Sequence, residues 1–193
     1  MLQVSKTEPK FFSDKKKKIL KPKESDAWSE LGDIRADLRE YILENEQSSM
    51  CAYCEKKITS DSKKSNIDHY KTRNLHPELT LDYNNFFVSC NNLNHCSSKK
   101  DNIGLNKNDY ENMMNPLDKD LDENFSYALG EIEGKNKKAN FTIDTFALNN
   151  ISLVEERKEI IRNFEFYKEF DEITLVDAFR GHVNLIRYLK NME

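Results

Sequence analysis

The sequence predicts an α+β fold, mainly helical, on three observations. Apolar residues recur at helical spacing near both ends of the chain. Two short runs with strand character, Asn66–Tyr70 and Asn84–Cys90, lie between them. Two cysteine pairs, Cys51 with Cys54 and Cys90 with Cys96, bracket those runs. The expected organisation is a basic extended arm over 1–24, an N-terminal helix over 25–50, and a metal-stapled module over 51–104. A mostly helical region with room for a small hairpin completes the chain over 105–193.

At 193 residues, 33% of them charged, the chain is long enough to bury a real core beneath a charge-covered surface. It contains no run near the roughly 20 apolar residues that a membrane helix needs, and its start lacks the apolar segment of a signal peptide. No membrane association and a cytoplasmic location are therefore expected. The net charge of −4 hides an asymmetry. Lys15–Lys18, Lys21 and Lys23 form one basic block, and Lys56, Lys57, Lys63, Lys64, Lys71, Arg73, Lys99 and Lys100 surround the cysteine-rich stretch, while acidic residues crowd 118–123. Local charge, more than net charge, decides whether phosphate is attracted.

Residues 1–24 show no sustained apolar period, so the block of like charges reads as a solvated tail or as a docking or phosphate-binding arm. From Asp26 to about Glu46, Trp28, Leu31, Ile34, Leu38, Tyr41 and Ile42 recur at three- and four-residue steps, with Ser25 or Asp26 available as N-cap. Such a stripe faces a core, here the module that begins a few residues later.

Cys51-Ala52-Tyr53-Cys54 can turn two sulfurs toward one ion, and a second pair, Cys90 and Cys96, changes a motif that alone could be a redox couple. Without an export signal, thiols are expected to stay reduced, which favours metal ligation over disulfides. Four thiolates in two pairs fit a closed structural zinc site, although the second spacing is wider than in the tightest knuckles and His95 could substitute for one ligand. Between the pairs, Asp68 offers a hard oxygen ligand suited to magnesium or manganese, and His69 an imidazole suited to act as a general base. The two meet at one site if the strand ends there and the backbone bends. Lys71–Tyr83, with Pro77, reads as a loop, the following strand delivers Cys90, and a short helix opens after Cys96.

Strand, loop, strand and helix around a metal is the layout of the ββα-metal nucleases, and the Cys51–Lys100 stretch resembles the HNH endonuclease family in its zinc-stapled form. That resemblance implies, position by position, that His69 is the base that activates water, Asp68 the acidic metal ligand, and Asn85 the central asparagine that orients the histidine or the loop. The third motif position falls on Ser97 where His or Asn is usual, so Ser97, His95, Asn94 or water would complete the catalytic ion's shell. The implied cofactors are structural zinc and catalytic magnesium or manganese. Lys71, Arg73, Lys99 and Lys100 would hold a nucleic-acid backbone without reading bases.

A narrower resemblance spans most of the chain. The basic proline-containing start, the helix with Trp28, Cys51–Glu55, Asp68-His69, the strand from Asn85 to Cys90, Cys96–Lys100 and Leu148–Asn150 before a Leu/Arg helix look like PtuB-type HNH proteins of Septu anti-phage defence and of some retron systems. This implies a DNA-cutting effector held by an ABC/SMC-like, PtuA-like ATPase, or one working beside a retron reverse transcriptase and its RNA–DNA. Cleavage of RNA such as tRNA, and a non-catalytic zinc-stapled binding module, are the alternatives.

Farther along, Phe125, Tyr127 and Leu129 alternate with polar residues, and a hairpin is expected with Gly130–Lys138 as its turn and Phe141–Ile143 as its second strand. Ser152 with Glu155 reads as a capping box for the helix through Val154, Ile160, Ile161, Phe164 and Tyr167. Ile173, Leu175, Phe179, Leu185, Ile186 and Leu189 form the closing helical segment around Gly181. His182 is read as a surface or half-buried residue outside any catalytic site.

Overall fold

A computed structural model describes every residue except Leu20, Pro22, Lys23 and Glu193, and the side chain of Ser25. Lys23 of the basic block and Ser25 as a capping side chain therefore lie outside the described residues. Eleven helices and strands follow in order: α1 Lys10–Lys16, α2 Ile34–Asn45, β1 Ser65–His69, β2 Phe86–Cys90, α3 Cys96–Asn102, β3 Phe125–Ala128, β4 Glu131–Gly134, α4 Lys137–Thr145, α5 Ile151–Tyr167, α6 Glu172–Ala178 and α7 Val183–Lys190. Short 3-10 segments, Ser25–Leu31 and Tyr83–Asn85 among them, join these elements.

The centre of the molecule is the antiparallel pair β1–β2, in register from Ser65 opposite Cys90 to His69 opposite Phe86. Every residue of β2 is buried. Successive side chains of a strand point to opposite faces, and β2 uses both. Phe87 enters a core that holds all four cysteines, Tyr53, Tyr70 and Phe146, which Cys90 joins from the end of the strand. Phe86 and Val88 enter a second core with Phe12, Leu31, Leu38, Ile42 and Leu81. Each fully buried Phe or Leu contributes about 2 kcal/mol, so β2 joins two hydrophobic bodies.

Several expectations are corrected. Residues 1–24 do not form an extended arm. They carry α1 and pack inward, with Phe12 fully buried, Leu2 N–H bonded to the Ala52 carbonyl at 2.9 Å and Val4 N–H to the Pro116 carbonyl at 2.7 Å. The sparse apolar residues of this stretch anchor it together with Lys6, buried against Glu46, while Lys15, Lys16 and Lys17 keep to the outside, each 3.6 Å from Asp33, Glu8 and Asp14 respectively.

The N-terminal helix is broken. A 3-10 segment, Ser25–Leu31, ends at Gly32, whose φ of +49° is a left-handed conformation that glycine adopts readily, and α2 begins after it. Asp26 lies inside the first turn and makes no capping bond.

The hairpin is tighter than expected. Leu129 and Gly130, both at positive φ (51° and 87°), form the turn between β3 and β4, the twist that two-residue hairpins favour. Phe141–Ile143 belongs to α4, which Asn136 starts by accepting from the Ala139 N–H at 2.8 Å. For α5 the cap is Asn150, which accepts from the Ser152 N–H, and not Ser152 itself.

The C-terminal helices dock on the first cysteine pair through backbone contacts. Lys57 N–H bonds to the Arg180 carbonyl at 2.8 Å and His182 N–H to the Glu55 carbonyl at 3.0 Å. Gly181 lies between them, and a Cβ there would stand 2.0 Å from the Glu55 carbonyl oxygen. Only glycine permits that approach. His182 is buried, 3.7 Å from Glu156 and far from the cleft described next.

Candidate active site and metal centre

β1, β2 and α3 carry two sites at opposite ends. At one end the four cysteines are buried, and their ligand atoms all lie within 4.8 Å of one another. Cys51 Sγ is 3.7 Å from Cys96 Sγ and Cys54 Sγ 3.9 Å from Cys90 Sγ. A tetrahedron with arms of about 2.3 Å, the zinc–thiolate distance, has edges of about 3.8 Å, so the sulfurs fit a zinc ion between them. The Cys90 N–H points at Cys51 Sγ at 3.4 Å, a backbone donor to a sulfur. Hydrogen bonds from the neighbouring thiols, Cys51 first, draw the Cys90 thiol far below its ordinary pKa, while burial pushes Cys96 well above its own. The four thiols thus share charge as one group. His95 belongs to this end, its Nδ1 3.1 Å from Cys96 Sγ and 3.8 Å from Cys90 Sγ. It is not a ligand for an ion at Asp68.

At the other end a cleft of about 530 Å³ is lined by Asn66, Asp68, His69, Arg73, Lys100 and Asp101, among others. His69 ends β1 as expected, and the imidazole is held on three sides. Trp28 meets it edge-on at 4.6 Å between ring centres, Phe86 likewise at 5.0 Å, and Nε2 lies 3.0 Å from the Thr80 carbonyl. A carbonyl only accepts, so Nε2 carries the proton and Nδ1 is left with the lone pair. Burial lowers the His69 pKa to about 4, so the ring is neutral at neutral pH.

Asp68 is also buried, and both of its oxygens are engaged. The Tyr53 hydroxyl donates to Oδ2, and Lys100 Nζ to Oδ1 at 2.9 Å. Tyr53 lies between the cysteines of the first pair and stacks on Phe146 at 4.1 Å, so one knuckle both binds at the thiol end and holds the carboxylate of the cleft. Burial pulls the Lys100 ammonium down, but the Asp68 and Asp101 carboxylates outweigh it and its pKa stands above the ordinary lysine value.

A catalytic divalent ion held by Asp68 does not fit this arrangement. Oδ1 already accepts from the Lys100 ammonium and Oδ2 from the Tyr53 hydroxyl. Among the described residues, the cysteines are the sole group of three or more His, Cys, Asp or Glu side chains gathered closely enough to hold a metal. Ser97 is buried with its hydroxyl 3.4 Å from Asn66 Oδ1, and Asn94 stands exposed beside Asn92.

Asn85 acts on the loop and not on the imidazole. Its Oδ1 accepts from Lys71 N–H at 2.8 Å and its Nδ2 donates to the Lys71 carbonyl at 2.9 Å, pinning both sides of one residue where the chain leaves β1. Arg73 lines the cleft, whereas Lys71 and Lys99 are partly exposed outside its lining. Lys100 is fully buried and cannot face a phosphate at the surface. Trp28, Tyr53 and Thr80 were not singled out for the site from the sequence. Only Tyr53 carried a signal, its place inside the cysteine pair.

No family model matches the chain. It is 29% identical over 108 residues to the Septu protein PtuB of Bacillus thuringiensis, covering 54% of this chain and 38% of that protein. It is 32% identical over 129 residues to a candidate HNH endonuclease of retron Vc95 from Vibrio cholerae serotype O1 biovar El Tor, covering 60% of this chain and 59% of that protein. The chain therefore spans less than two thirds of the length of either relative. No helix among the described residues is long and apolar enough to cross a membrane. The two relatives bear out the resemblance carried by the motifs: this chain is similar to the HNH proteins of Septu and retron systems.

Proposed function

We propose that the chain is an HNH endonuclease that hydrolyses phosphodiester bonds of DNA as the effector of an anti-phage defence complex. The observation that carries this reading is the state of His69. Its Nε2–H is spent on Thr80, which leaves the lone pair on Nδ1, and burial keeps the ring neutral beside a polar cleft. A general base must be unprotonated and oriented before substrate arrives. His69 Nδ1 would remove a proton from the attacking water. Arg73, with Lys71 and Lys99 near the mouth, would hold the phosphate by charge and not by base identity. Asn85 would keep the loop between β1 and Thr80 in place, and with it the partner of Nε2.

β1, β2 and α3 form the ββα-metal module in this reading, and zinc at the four cysteines is structural. An ATPase partner of the ABC/SMC kind would dock on the C-terminal helices, where Phe166, Phe170 and Ile173 stand exposed. A non-catalytic, zinc-stapled binding module is the second reading, and the engaged state of Asp68 favours it.

Purified protein incubated with supercoiled plasmid and with bulk tRNA, in magnesium or manganese, tests these readings against His69→Ala. Cutting of plasmid that disappears in a folded, zinc-loaded His69→Ala protein is the expected result. Cutting of tRNA alone would move the substrate to RNA. A zinc-loaded wild-type protein that cuts neither, with or without an ATPase partner, would leave the binding module.

A further inference from the structure

The disagreement at Asp68 has a definite shape. Lys100 Nζ lies 2.9 Å from Asp68 Oδ1, 2.6 Å from the His69 carbonyl, 3.1 Å from the Tyr70 carbonyl and 3.2 Å from Asp101 Oδ1. Four oxygens thus face an ammonium that has three protons to donate. Two carboxylates and two backbone carbonyls are the donor set of a hard divalent cation, which takes six or more oxygens from such groups and water. The separations found here are those of N–H···O bonds, and three of the four exceed the roughly 2.0–2.6 Å of magnesium or calcium to oxygen.

The cage is built on stiff elements. Asp68 and His69 end β1, Tyr70 N–H is tied to the Asn85 carbonyl at 2.9 Å, and Lys100 and Asp101 are adjacent on α3. It borders the cleft, since Asp68, Lys100 and Asp101 all line it.

We infer that the Lys100 ammonium is the resident cation of this oxygen cage, and that a divalent ion competes with it for the same oxygens. The inference rests on the reading of the cleft as the reaction site, but it concerns binding. A divalent ion enters only when the Lys100 side chain swings out, and whatever moves α3 against β1 controls that exchange. Neutralising Lys100 frees the carboxylates for an ion, and removing the Asp68 charge abolishes its binding.

The test is titration of the zinc-loaded full chain with Mn²⁺, read by calorimetry and by the paramagnetic signal of free Mn²⁺, which needs no cleavage. Lys100→Gln retains N–H donors for the cage while losing the charge, and Lys100→Met is the second neutral variant. Each is expected to bind Mn²⁺ at least tenfold more tightly than wild type, and the Asp68→Asn/Lys100→Gln double variant no better than wild type. In the wild-type protein, Mn²⁺ is expected to raise the reaction of Lys100 with an amine-directed label, read by mass spectrometry. Neutral variants that bind Mn²⁺ no better than wild type would overturn the inference. So would Asp68-dependent binding to wild type with Lys100 still protected from the label, a readout that stands even where a variant fails to fold. Failure of the cleavage experiment with success of this one would retire the nuclease reading and keep the cage.

Discussion

The two ends of the β1–β2 pair are assembled in opposite ways. At the thiol end, four side chains of one kind converge from two short segments, and their sulfurs stand at tetrahedral separations. At the cleft end, His69 and Asp68 are set by residues from the whole first half of the chain: Trp28, Tyr53, Thr80 and Lys100. In the proposed reading the thiol end depends on one ion held by the four sulfurs. The cleft end depends on many individually modest contacts, so the first should fail all at once and the second by degrees.

The largest effect should come from breaking the thiol end. Cys54→Ser is expected to lose zinc and to unfold the module, because zinc at such a site contributes on the order of 10 kcal/mol of folding free energy. Zinc content and circular dichroism of the purified variant measure it. A folded, fully zinc-loaded Cys54→Ser protein would show that the ends are not different in kind.

Next is His69→Ala, expected to lower cleavage by roughly 10²–10⁴-fold, the range for a general base, with zinc content unchanged. Cleavage that survives would mean that the base lies elsewhere in the cleft.

Acid should act on the cleft through His69. Folded His69 stays neutral down to about pH 4, while in the unfolded chain it titrates near 6.5. Unfolded protein thus binds the extra proton first as pH falls. The stability associated with the neutral ring is complete above 6.5 and is lost progressively toward 4, on the order of 3 kcal/mol in all. The groups that face the ring are Asp68, Arg73, Lys100 and the Thr80 carbonyl, with Trp28 and Phe86 supplying the apolar walls. Chemical denaturation of wild type and His69→Gln between pH 7 and 4.5 should show a steeper loss of stability in wild type.

The smallest effect sharpens the comparison most. Tyr53→Phe removes the one hydroxyl that links the ends and leaves Asp68 Oδ2 without that donor, at a cost of about 1–3 kcal/mol. Its melting temperature should fall and its zinc stay. Zinc loss would mean that the two ends are one cooperative unit.

Much of the thiol end was legible in the sequence, because cysteine spacing is local and the chemistry of thiolates narrow. The helix through Phe164 was legible for the same reason, because a period of three to four residues is local, and the strands bracketed by the cysteines were legible as short runs between them. The cleft was legible only in His69 and Asp68. Nothing local in the sequence says that Trp28 lies against the imidazole, or that the Thr80 carbonyl decides which nitrogen keeps the proton. Lys100, read as a phosphate contact, became the buried partner of Asp68 because the packing of α3 on β2 carries it inward.

The first 24 residues make the same point. Their lysines suggest a solvated tail, and three or four apolar side chains among them are too few to declare a period, yet Leu2, Val4 and Phe12 find cores that other segments build. The sequence by itself determined which thiols gather at one end, where β1, β2 and the longest helix lie, and which imidazole borders the cleft. Tertiary structure decided that the arm is part of the core, that one asparagine grips a loop, and that an ammonium occupies the oxygens expected for a metal. The physical reason is distance along the chain: periods and spacings act within a turn or a strand, whereas burial and charge pairing are settled only when remote segments meet.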